Sequence, residues 1–317
     1  MRIMRRVLPA LMCALLMLVS ALGEESSGIT QEAFLSTLPV PTGETLIPPA
    51  YPVPDYVLYL LDAARAELGY TEEKNGATKY GAWAGDPTAE WCAEFLCWCV
   101  NRVDTARQTH LLNQVYPNYS ASNTGRNWFL SQGRYIARKG VVPAWGSQWY
   151  KGQDTPMAKN SYVPQPGDWV FFSTGALGDT THVAMVEFCT SDAQGKTRVH
   201  VIEGNNPDAV ARNAYPIDNW AIQGYGTVYD LADIAMRFGN SGAKVKALQE
   251  ELVAVGLMEA QYTTGRYGAI TEGAIKELQR QCGIAETGVA NHETQLALHA
   301  LAVKISKEKP ENWVVEH

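Results

Sequence analysis

The residues best suited to chemistry are a thiol, an imidazole and a carboxylate in three separate parts of the chain. Cys92 follows a loop that contains glycine and proline and opens a predicted helix, where free N–H groups and the helix dipole stabilise a thiolate. His182 begins a hydrophobic stretch, while Glu203 and Asn205 stand two apart, a spacing that directs both to one side of a strand. A base that deprotonates a thiol and an acid that orients the base together make an activated cysteine nucleophile.

Some of these residues, and several near them, also have purely structural interpretations. Taken alone, Cys92 fits a small apolar core residue better than a nucleophile, since buried free cysteine is common. The downstream histidine and carboxylate are what favour the nucleophile. His200 alternates with valines and is expected on the surface of a strand. Four further thiols are expected to be core or half-buried groups: Cys97, Cys99, Cys189 and Cys282.

The candidate residues must be positioned by helices that come first and strands that follow. A helix is expected to begin at Asp55, capped by that side chain, and to close at Gly69, and a second is expected over 92–103. Short segments rich in β-branched and aromatic residues are typical of strands, and they cover 169–172, 183–188 and 199–202. This order predicts an α+β domain with an antiparallel sheet that ends near residue 230.

The C-terminal part of the chain has a different pattern. From Gly242 onward apolar residues recur at helical spacing until Gly256. Two further helices are expected over 271–282 and 292–303. Three short helices joined by glycine-containing turns predict a small bundle with its own core, and hence a second domain.

The N-terminus has the composition of a secretory signal peptide. Three arginines precede an almost wholly apolar run over 7–22, which is shorter than the roughly 20 residues that a spanning helix needs. An uncleaved membrane anchor is the alternative. Six of the sixteen prolines lie between residues 38 and 55, and this density forbids helix and predicts an extended, semi-rigid spacer.

Composition and charge exclude several classes of protein. A length of 317 residues predicts about two domains, and 46% hydrophobic residues exclude a chain that is disordered throughout. The net charge of −7 argues against a protein that holds nucleic acid by its phosphates. Without Cys13, which lies in the apolar run, five cysteines remain, so at least one thiol is unpaired. No pair of them has the spacing of a metal site, and we expect neither a metal nor an organic cofactor.

Six short motifs occur in order along the chain: Tyr70-Thr-Glu, Thr78-Lys-Tyr-Gly, Trp91-Cys-Ala, Pro166-Gly-Asp, His182-Val and Glu203-Gly-Asn. In these motifs, residues 55–230 resemble the CHAP family, the cysteine- and histidine-dependent amidohydrolases and peptidases of bacterial cell-wall metabolism. The resemblance implies a papain-like fold, with Cys92 as the nucleophile and His182 as the general base. It further implies that Glu203 orients the imidazole and that Asn205 is a polar support. The backbone N–H of Cys92 is the default oxyanion donor, with Tyr80 as a weaker candidate.

The C-terminal bundle resembles the three-helix peptidoglycan-binding domain. The match runs through the helix after Gly242, the central turn Thr264-Gly-Arg-Tyr-Gly and the segment Thr287-Gly-Val. Thr264 stands where that family usually has an aspartate, so part of this turn is altered. A helical cap that only stabilises the enzyme is the alternative.

The two resemblances imply a secreted hydrolase of bacterial peptidoglycan that cleaves an amide bond by a Cys-His-Glu thiol mechanism, as an N-acetylmuramoyl-L-alanine amidase or an endopeptidase. The alternatives are a non-catalytic wall-binding protein and a secreted papain-like protease. We expect a monomer, secreted or held at the cell wall, that binds no nucleic acid and has no stable membrane insertion after signal cleavage. The expected organisation is a signal peptide at 1–23, a proline-rich linker at 24–54, a catalytic domain at 55–230, a peptidoglycan-binding domain at 231–305 and a tail at 306–317.

Overall fold

The computed structural model describes residues 30–153, 155–175 and 179–308, so the expected signal peptide and most of the expected tail lie outside the described residues. The helices within these ranges are α1 Gln31–Ser36, α2 Asp55–Arg65, α3 Lys79–Ala84, α4 Cys92–Arg107, α5 Ser122–Ser131, α6 Ala243–Ala254, α7 Ala269–Cys282 and α8 His292–Glu308. The strands are β1 Thr45–Ile47, β2 Tyr135–Ala137, β3 Val141–Val142, β4 Gly146–Tyr150, β5 Trp169–Phe172, β6 His182–Ser191, β7 Thr197–Glu203, β8 Ala211–Pro216, β9 Ile222–Gly226 and β10 Ala232–Ile234. No helix in these ranges is long and apolar enough to cross a membrane.

Helix α2 forms because its apolar residues recur on one face, and that face is buried in the core. It begins at Asp55, as expected, but Pro54 occupies the capping position, so Asp55 is the first helical residue and not a cap. The helix ends at Arg65, earlier than expected. Gly69 lies beyond it with a φ of 88°, a left-handed conformation that favours glycine, and donates its N–H to the carbonyl of Val210.

Helix α4 is a core helix. Its first half is buried on nearly all sides, and it packs against α2 and against β6. It extends beyond the predicted end at residue 103 and stops where Gln108 takes a left-handed φ of 56°. Cys92 is its first residue, as the sequence predicts. The helix therefore brings the thiol to one end of the sheet on which it packs.

Seven strands in the described ranges form one antiparallel sheet, with the order β2-β9-β5-β6-β7-β8 and with β1 paired to β6. The register brings three residues together at one end of the sheet: Phe172 of β5 lies between His182 of β6 and Ile222 of β9. Helices α2 and α4 cover one face, and a second hydrophobic cluster fills the other. The α+β fold class is thus confirmed.

The proline-rich segment differs from the expected spacer over the residues described, 30–54. Thr30 caps α1 with its hydroxyl, and strand β1 pairs with β6 from Thr45 to Ile47. Phe34, Leu38 and Val53 are buried in the core of the first domain. Proline prevents a long helix here, but it permits a short extended piece, which pairs with the part of β6 that extends beyond β5. The segment is therefore packed as part of the domain.

Helices α6, α7 and α8 enclose a separate hydrophobic core, as expected for the bundle. Helix α7 begins two residues before the predicted start at 271, and α8 continues to Glu308, beyond the predicted end at 303. The main members of this core are Val245, Leu248, Leu252, Tyr267, Ile275, Leu278 and Leu298.

The bundle packs directly on the first domain. Strand β10 pairs with β4, so strand pairing continues past residue 230. The ammonium of Lys244 in α6 lies 2.5 Å from a carboxylate oxygen of Asp233 and 3.4 Å from one of Asp230. The indole of Trp145 contacts the cores of both domains. The expected domain boundaries stay predictions, but the contact between the two cores is a feature of the fold.

Candidate active site

Cys92 lies at the N-terminus of α4 with only 6% of its surface exposed. The residue before it, Trp91, occupies the capping position without a side-chain capping bond, so it leaves the first-turn N–H groups uncapped by a side chain. The Trp91 ring stacks on Tyr80 at 5.4 Å, and its indole N–H donates to Glu72 at 2.9 Å. The loop that delivers the thiol is therefore fixed by buried aromatic contacts.

His182 joins the thiol to the carboxylate. Its Nε2 lies 2.6 Å from Oε2 of Glu203, because Met185 pairs with Ile202 and this register sets Glu203 diagonally across from His182. The side chain of Cys92 also lies close enough to the imidazole to raise the pKa of His182. With Nε2 engaged by Glu203, Nδ1 is the ring nitrogen available to the sulfur.

These contacts change the basicity of the imidazole. Burial on its own lowers the pKa of His182, but hydrogen bonds and charge attraction from Cys92 and Glu203 outweigh burial and raise the pKa from 6.5 to about 9. A base with that pKa holds a proton at neutral pH. The structure thus gives His182 the basicity that a proton acceptor for a thiol needs.

Glu203 is completely buried and its carboxylate is fully hydrogen-bonded. Oε2 contacts His182, and Oε1 accepts three bonds, from Nδ2 of Asn206 at 3.0 Å, Nδ2 of Asn213 at 2.6 Å and the hydroxyl of Tyr215 at 2.7 Å. Burial on its own raises the pKa of Glu203, but the bonds from its partners outweigh it and hold the pKa below 4.5. The carboxylate therefore stays ionised beside the imidazole.

The three donors to Oε1 were not anticipated from the sequence. Strand β8 carries Asn213 and Tyr215. Its sequence does not alternate between apolar and polar residues, so no pattern indicated a strand there. Their two-residue spacing was the available signal, since it directs both side chains to one face of β8. Asn206 lies in the bend after β7.

The structure does not place Asn205 with the other three candidates. Strand β7 ends at Glu203, and Asn205 has a left-handed φ of 59°, so the two side chains do not share a strand face as the spacing suggested. The Asn205 amide instead donates to Oε2 of Glu90 at 2.6 Å. The neighbouring Asn206 occupies the supporting position that was expected for Asn205.

Tyr80 is a packing residue and not an oxyanion donor. Its ring is completely buried, and its hydroxyl donates to Oε2 of Glu67 at 2.6 Å. The backbone N–H groups at the start of α4 remain the expected donors to a developing oxyanion.

The other thiols have different surroundings from Cys92. Cys97, Cys99 and Cys189 are buried, as expected, and Cys282 is exposed, which was not expected. Burial raises the pKa of the Cys97 thiol to about 12 and raises that of Cys99 well above its ordinary value. Thiols this weakly acidic are poor nucleophiles at neutral pH.

The expectation that His200 is a surface residue is wrong. Its ring is 8% exposed and stacks on Phe188 at 4.3 Å, and its Nε2 lies 2.7 Å from the hydroxyl of Thr190. The alternation with valines failed as a signal because the segment between α1 and β1 packs beside His200, whose Nε2 lies 3.2 Å from Oε2 of Glu44. Burial, opposed by contacts with Glu44, lowers the pKa of His200. Over the described ranges, no cluster of three or more histidine, cysteine, aspartate or glutamate residues is arranged to hold a metal ion.

Comparisons with known proteins agree with both sequence resemblances. The N-acetylmuramoyl-L-alanine amidase CwlL of Bacillus licheniformis is 41% identical over 76 residues, which are 24% of this chain and 21% of that amidase. The match therefore spans about a fifth of the length of that relative.

Two solved structures are more distant. The structure of Ly7917 is 15% identical with a TM-score of 0.28 and covers 54% of this chain and 62% of that chain. A periplasmic domain of the EpsAB fusion protein of the Vibrio vulnificus type II secretion system is 15% identical with a TM-score of 0.20, covering 47% and 66%. TM-scores this low do not establish a shared fold.

Family models match both parts of the chain. The CHAP domain model matches residues 83–205, which include Cys92, His182 and Glu203. The PG_binding_1 model, a peptidoglycan binding domain, matches residues 241–298, which include α6 and α7 and part of α8. The chain therefore contains a CHAP domain followed by a three-helix peptidoglycan-binding domain.

Proposed function

We propose that this protein is a secreted peptidoglycan hydrolase that cleaves an amide bond with a Cys92–His182–Glu203 thiol mechanism. The observation that carries the proposal is the position of His182, which contacts the Glu203 carboxylate and lies near enough to the Cys92 thiol for the thiol to raise its pKa. The CHAP match supports hydrolase chemistry, and the match to a peptidoglycan binding domain supports the wall polymer as the substrate. The partial similarity to a muramoyl-alanine amidase supports an amide as the bond.

Before acylation the proton of Cys92 has passed to Nδ1 of His182, and the sulfur then attacks the amide carbonyl carbon as the thiolate. Nε2 of His182 keeps its bond to Glu203, which fixes the ring and stabilises the imidazolium. The first-turn N–H groups of α4 stabilise the oxyanion. When the tetrahedral intermediate collapses, the C–N bond breaks, the imidazolium protonates the leaving amine and the acyl group remains on sulfur as a thioester.

In the deacylation step, the neutral imidazole of His182 takes a proton from water, and the hydroxide attacks the thioester carbonyl. The C–S bond then breaks, and the imidazolium returns the proton to the leaving sulfur. The products are a carboxylic acid and the original thiol, so one water molecule is consumed for each amide bond cleaved.

Attraction between opposite charges does not explain how this protein is held at a wall. The chain has a net charge of −7, and bacterial wall polymers are anionic, so the long-range force between them is repulsive. Recognition therefore depends on fitted hydrogen bonds and apolar contacts in the two domains. The secreted location rests on the basic and apolar N-terminal residues, which lie outside the described residues.

Two other functions give different experimental results. A non-catalytic wall-binding protein would bind purified walls and release nothing. A secreted papain-like protease would cleave casein and leave walls intact. Zymography on purified peptidoglycan, with casein in parallel, distinguishes the three functions, and clearing of the peptidoglycan gel alone is the result we expect.

The decisive variant is Cys92→Ala, which removes the nucleophile without adding bulk. We expect it to lose wall hydrolysis completely and to keep its fold and its wall binding. Cys282→Ala is the matched control, because Cys282 is exposed and lies in the bundle, and it should retain full activity. Full activity of Cys92→Ala would refute the mechanism. Mass spectrometry of the released fragments would identify the bond that is cut.

A further inference from the structure

The most exposed large aromatic residue in the described ranges lies close to the candidate active site. Trp220 is 72% exposed, although large apolar side chains are usually withdrawn from water. It is held in a tight turn, in which Ala221 donates its N–H to Oδ1 of Asn219 at 2.9 Å and Ile222 donates to the carbonyl of Asn219 at 3.1 Å. Val141, which lines the same groove, is 51% exposed, and neighbouring exposed apolar side chains indicate a contact surface.

Backbone hydrogen bonds connect this turn to His182. Ser173 donates its N–H to the carbonyl of Ala221 at 2.8 Å, and Thr181 donates to the carbonyl of Phe172 at 2.8 Å. The backbone of Ala221, next to Trp220, thus lies two strand spacings from that of Thr181, next to His182. Neighbouring strands are about 4.8 Å apart, so these two backbones are roughly 10 Å apart.

A groove beside Trp220 includes Ser173, which directly follows strand β5, the strand between β9 and β6. It has a volume of about 170 Å³, and its lining includes Lys139, Val141, Pro143, Ser173, Trp220 and Gln223. We call it the Trp220 groove. It is smaller than the roughly 300 Å³ or more of a site for a whole ligand, so it fits one ring of a larger substrate.

The wall of the Trp220 groove is rigid. The buried guanidinium of Arg138 donates to the carbonyl of Ile222 at 2.6 Å, and the backbone N–H of Arg138 donates to the carbonyl of Gln223 at 3.0 Å. A second guanidinium nitrogen donates to Asn160 at 3.2 Å. The groove is therefore formed before a ligand arrives, which reduces the entropy that binding costs.

We propose that the Trp220 groove binds a sugar ring of the peptidoglycan glycan strand, next to the amide bond that is cleaved. A pyranose presents C–H groups on one face, which pack on an indole, and hydroxyl and acetamido groups at its rim, which pair with an ammonium, a hydroxyl and an amide. Lys139, Ser173 and Gln223 supply those three groups.

This inference rests on the proposed function and makes it more specific. A sugar bound beside the catalytic residues places the link between glycan and stem peptide at Cys92. The substrate class that fits best is therefore an amide close to the sugar, as in an N-acetylmuramoyl-L-alanine amidase, and not one far along the stem peptide.

The test compares the full-length protein with Trp220→Ala and Trp220→Phe on two soluble substrates. One is a disaccharide–tetrapeptide muropeptide, and the other is a lactoyl-tetrapeptide, which keeps the amide to L-alanine but lacks the sugar. For the muropeptide we expect Trp220→Ala to raise KM about tenfold and to change kcat by less than about twofold, since the indole touches the substrate away from the reacting atoms. Trp220→Phe keeps an aromatic face and should recover most of the loss. Phe238→Ala, at an exposed aromatic outside the groove, is the matched control and should behave as the wild type.

An unchanged KM for the muropeptide in Trp220→Ala, or equal losses on the sugar-containing and the sugar-free substrate, would overturn the sugar site. If the wild-type protein hydrolyses no substrate, the proposed function fails, and binding decides the groove separately. In that case chitotetraose is titrated into the full-length protein and into Trp220→Ala. About tenfold weaker binding by the variant supports the groove, and equal binding refutes it.

Discussion

Replacing Glu203 by glutamine tests the mechanism more sharply than deleting the nucleophile. Oε1 of Glu203 accepts three hydrogen bonds, so the amide oxygen of a glutamine would keep that position and its three donors. The amide nitrogen would then face Nε2 of His182, at the place of the 2.6 Å contact. Two N–H groups cannot point at each other, so the imidazole would move its proton to Nδ1.

That tautomer cannot accept the proton of Cys92. The same reversal in a serine protease lowers kcat about 10⁴-fold, and we expect Glu203→Gln to lower kcat by about 10³–10⁴-fold, or roughly 4–5.5 kcal/mol of activation free energy. Loss of the carboxylate charge also removes the Glu203 contribution that opposes burial, so the pKa of His182 should fall below about 9. The variant should fold, because the buried donors keep their acceptor.

The assay is the pH dependence of kcat/KM on a soluble muropeptide from pH 5 to 10, with Tyr215→Phe as the matched control. That control removes one donor to Oε1 but keeps the charge, and it should lose about tenfold or less. Wild-type activity should fall as the pH rises through about 9, where His182 loses the proton that the leaving amine needs. If Glu203→Gln keeps activity within tenfold of the wild type and the same alkaline limb, then Glu203 does not set the tautomer or the pKa of His182.

Three further predictions concern stability and the division of labour. The raised pKa of His182 stabilises the fold fully below about pH 6.5, by about 3 kcal/mol, and this contribution should be lost as the pH rises through about 9. Urea denaturation of the wild type and of His182→Gln at pH 6 and 9.5 would show the loss. Gly204→Ala should destabilise the protein by about 1–3 kcal/mol, because a Cβ there would lie 2.6 Å from the Trp91 ring and 2.9 Å from Cβ of Phe95; an unchanged melting temperature would contradict this. A protein ending after Ile234 should fold at lower stability and keep its rate of hydrolysis on soluble muropeptides. On intact walls it should act up to about a hundredfold more slowly, because the binding domain is lost. A full rate on walls would show that the bundle does not target them.

The sequence indicated the residues that lie in local motifs more reliably than the residues that support them. Cys92, His182 and Glu203 each stand at an element boundary that periodicity and turn residues reveal, and the structure brings all three together. Asn213 and Tyr215 reach Glu203 only through the pairing of β7 with β8, and such pairing depends on contacts distant in the sequence. Local patterns therefore predicted the catalytic candidates and missed the groups that fix the carboxylate.

The remaining differences have similar physical causes. Proline density describes what a segment cannot form, but it does not reveal that β1 pairs with the part of β6 that extends beyond β5. His200 alternates with valines as a surface residue would. The alternation misled because the segment between α1 and β1, which packs beside His200, lies far away in the sequence. Asn205 was expected on one face of β7, but that strand ends two residues earlier, at Glu203. The left-handed φ of Asn205 itself is enough to redirect its side chain.

The contact between the two domains affects how the enzyme meets its substrate. Lys244 binds two carboxylates of the first domain, and Trp145 is shared by both cores, so the bundle cannot swing freely around the cleft. A flexible linker would let the cleft search a sphere around each point of attachment. A packed junction instead sets one distance and one angle between the bundle and the cleft. The spacing between neighbouring strands of the polymer then decides which amide bonds the cleft can reach. Such an enzyme would distinguish relaxed from stretched walls by geometry alone.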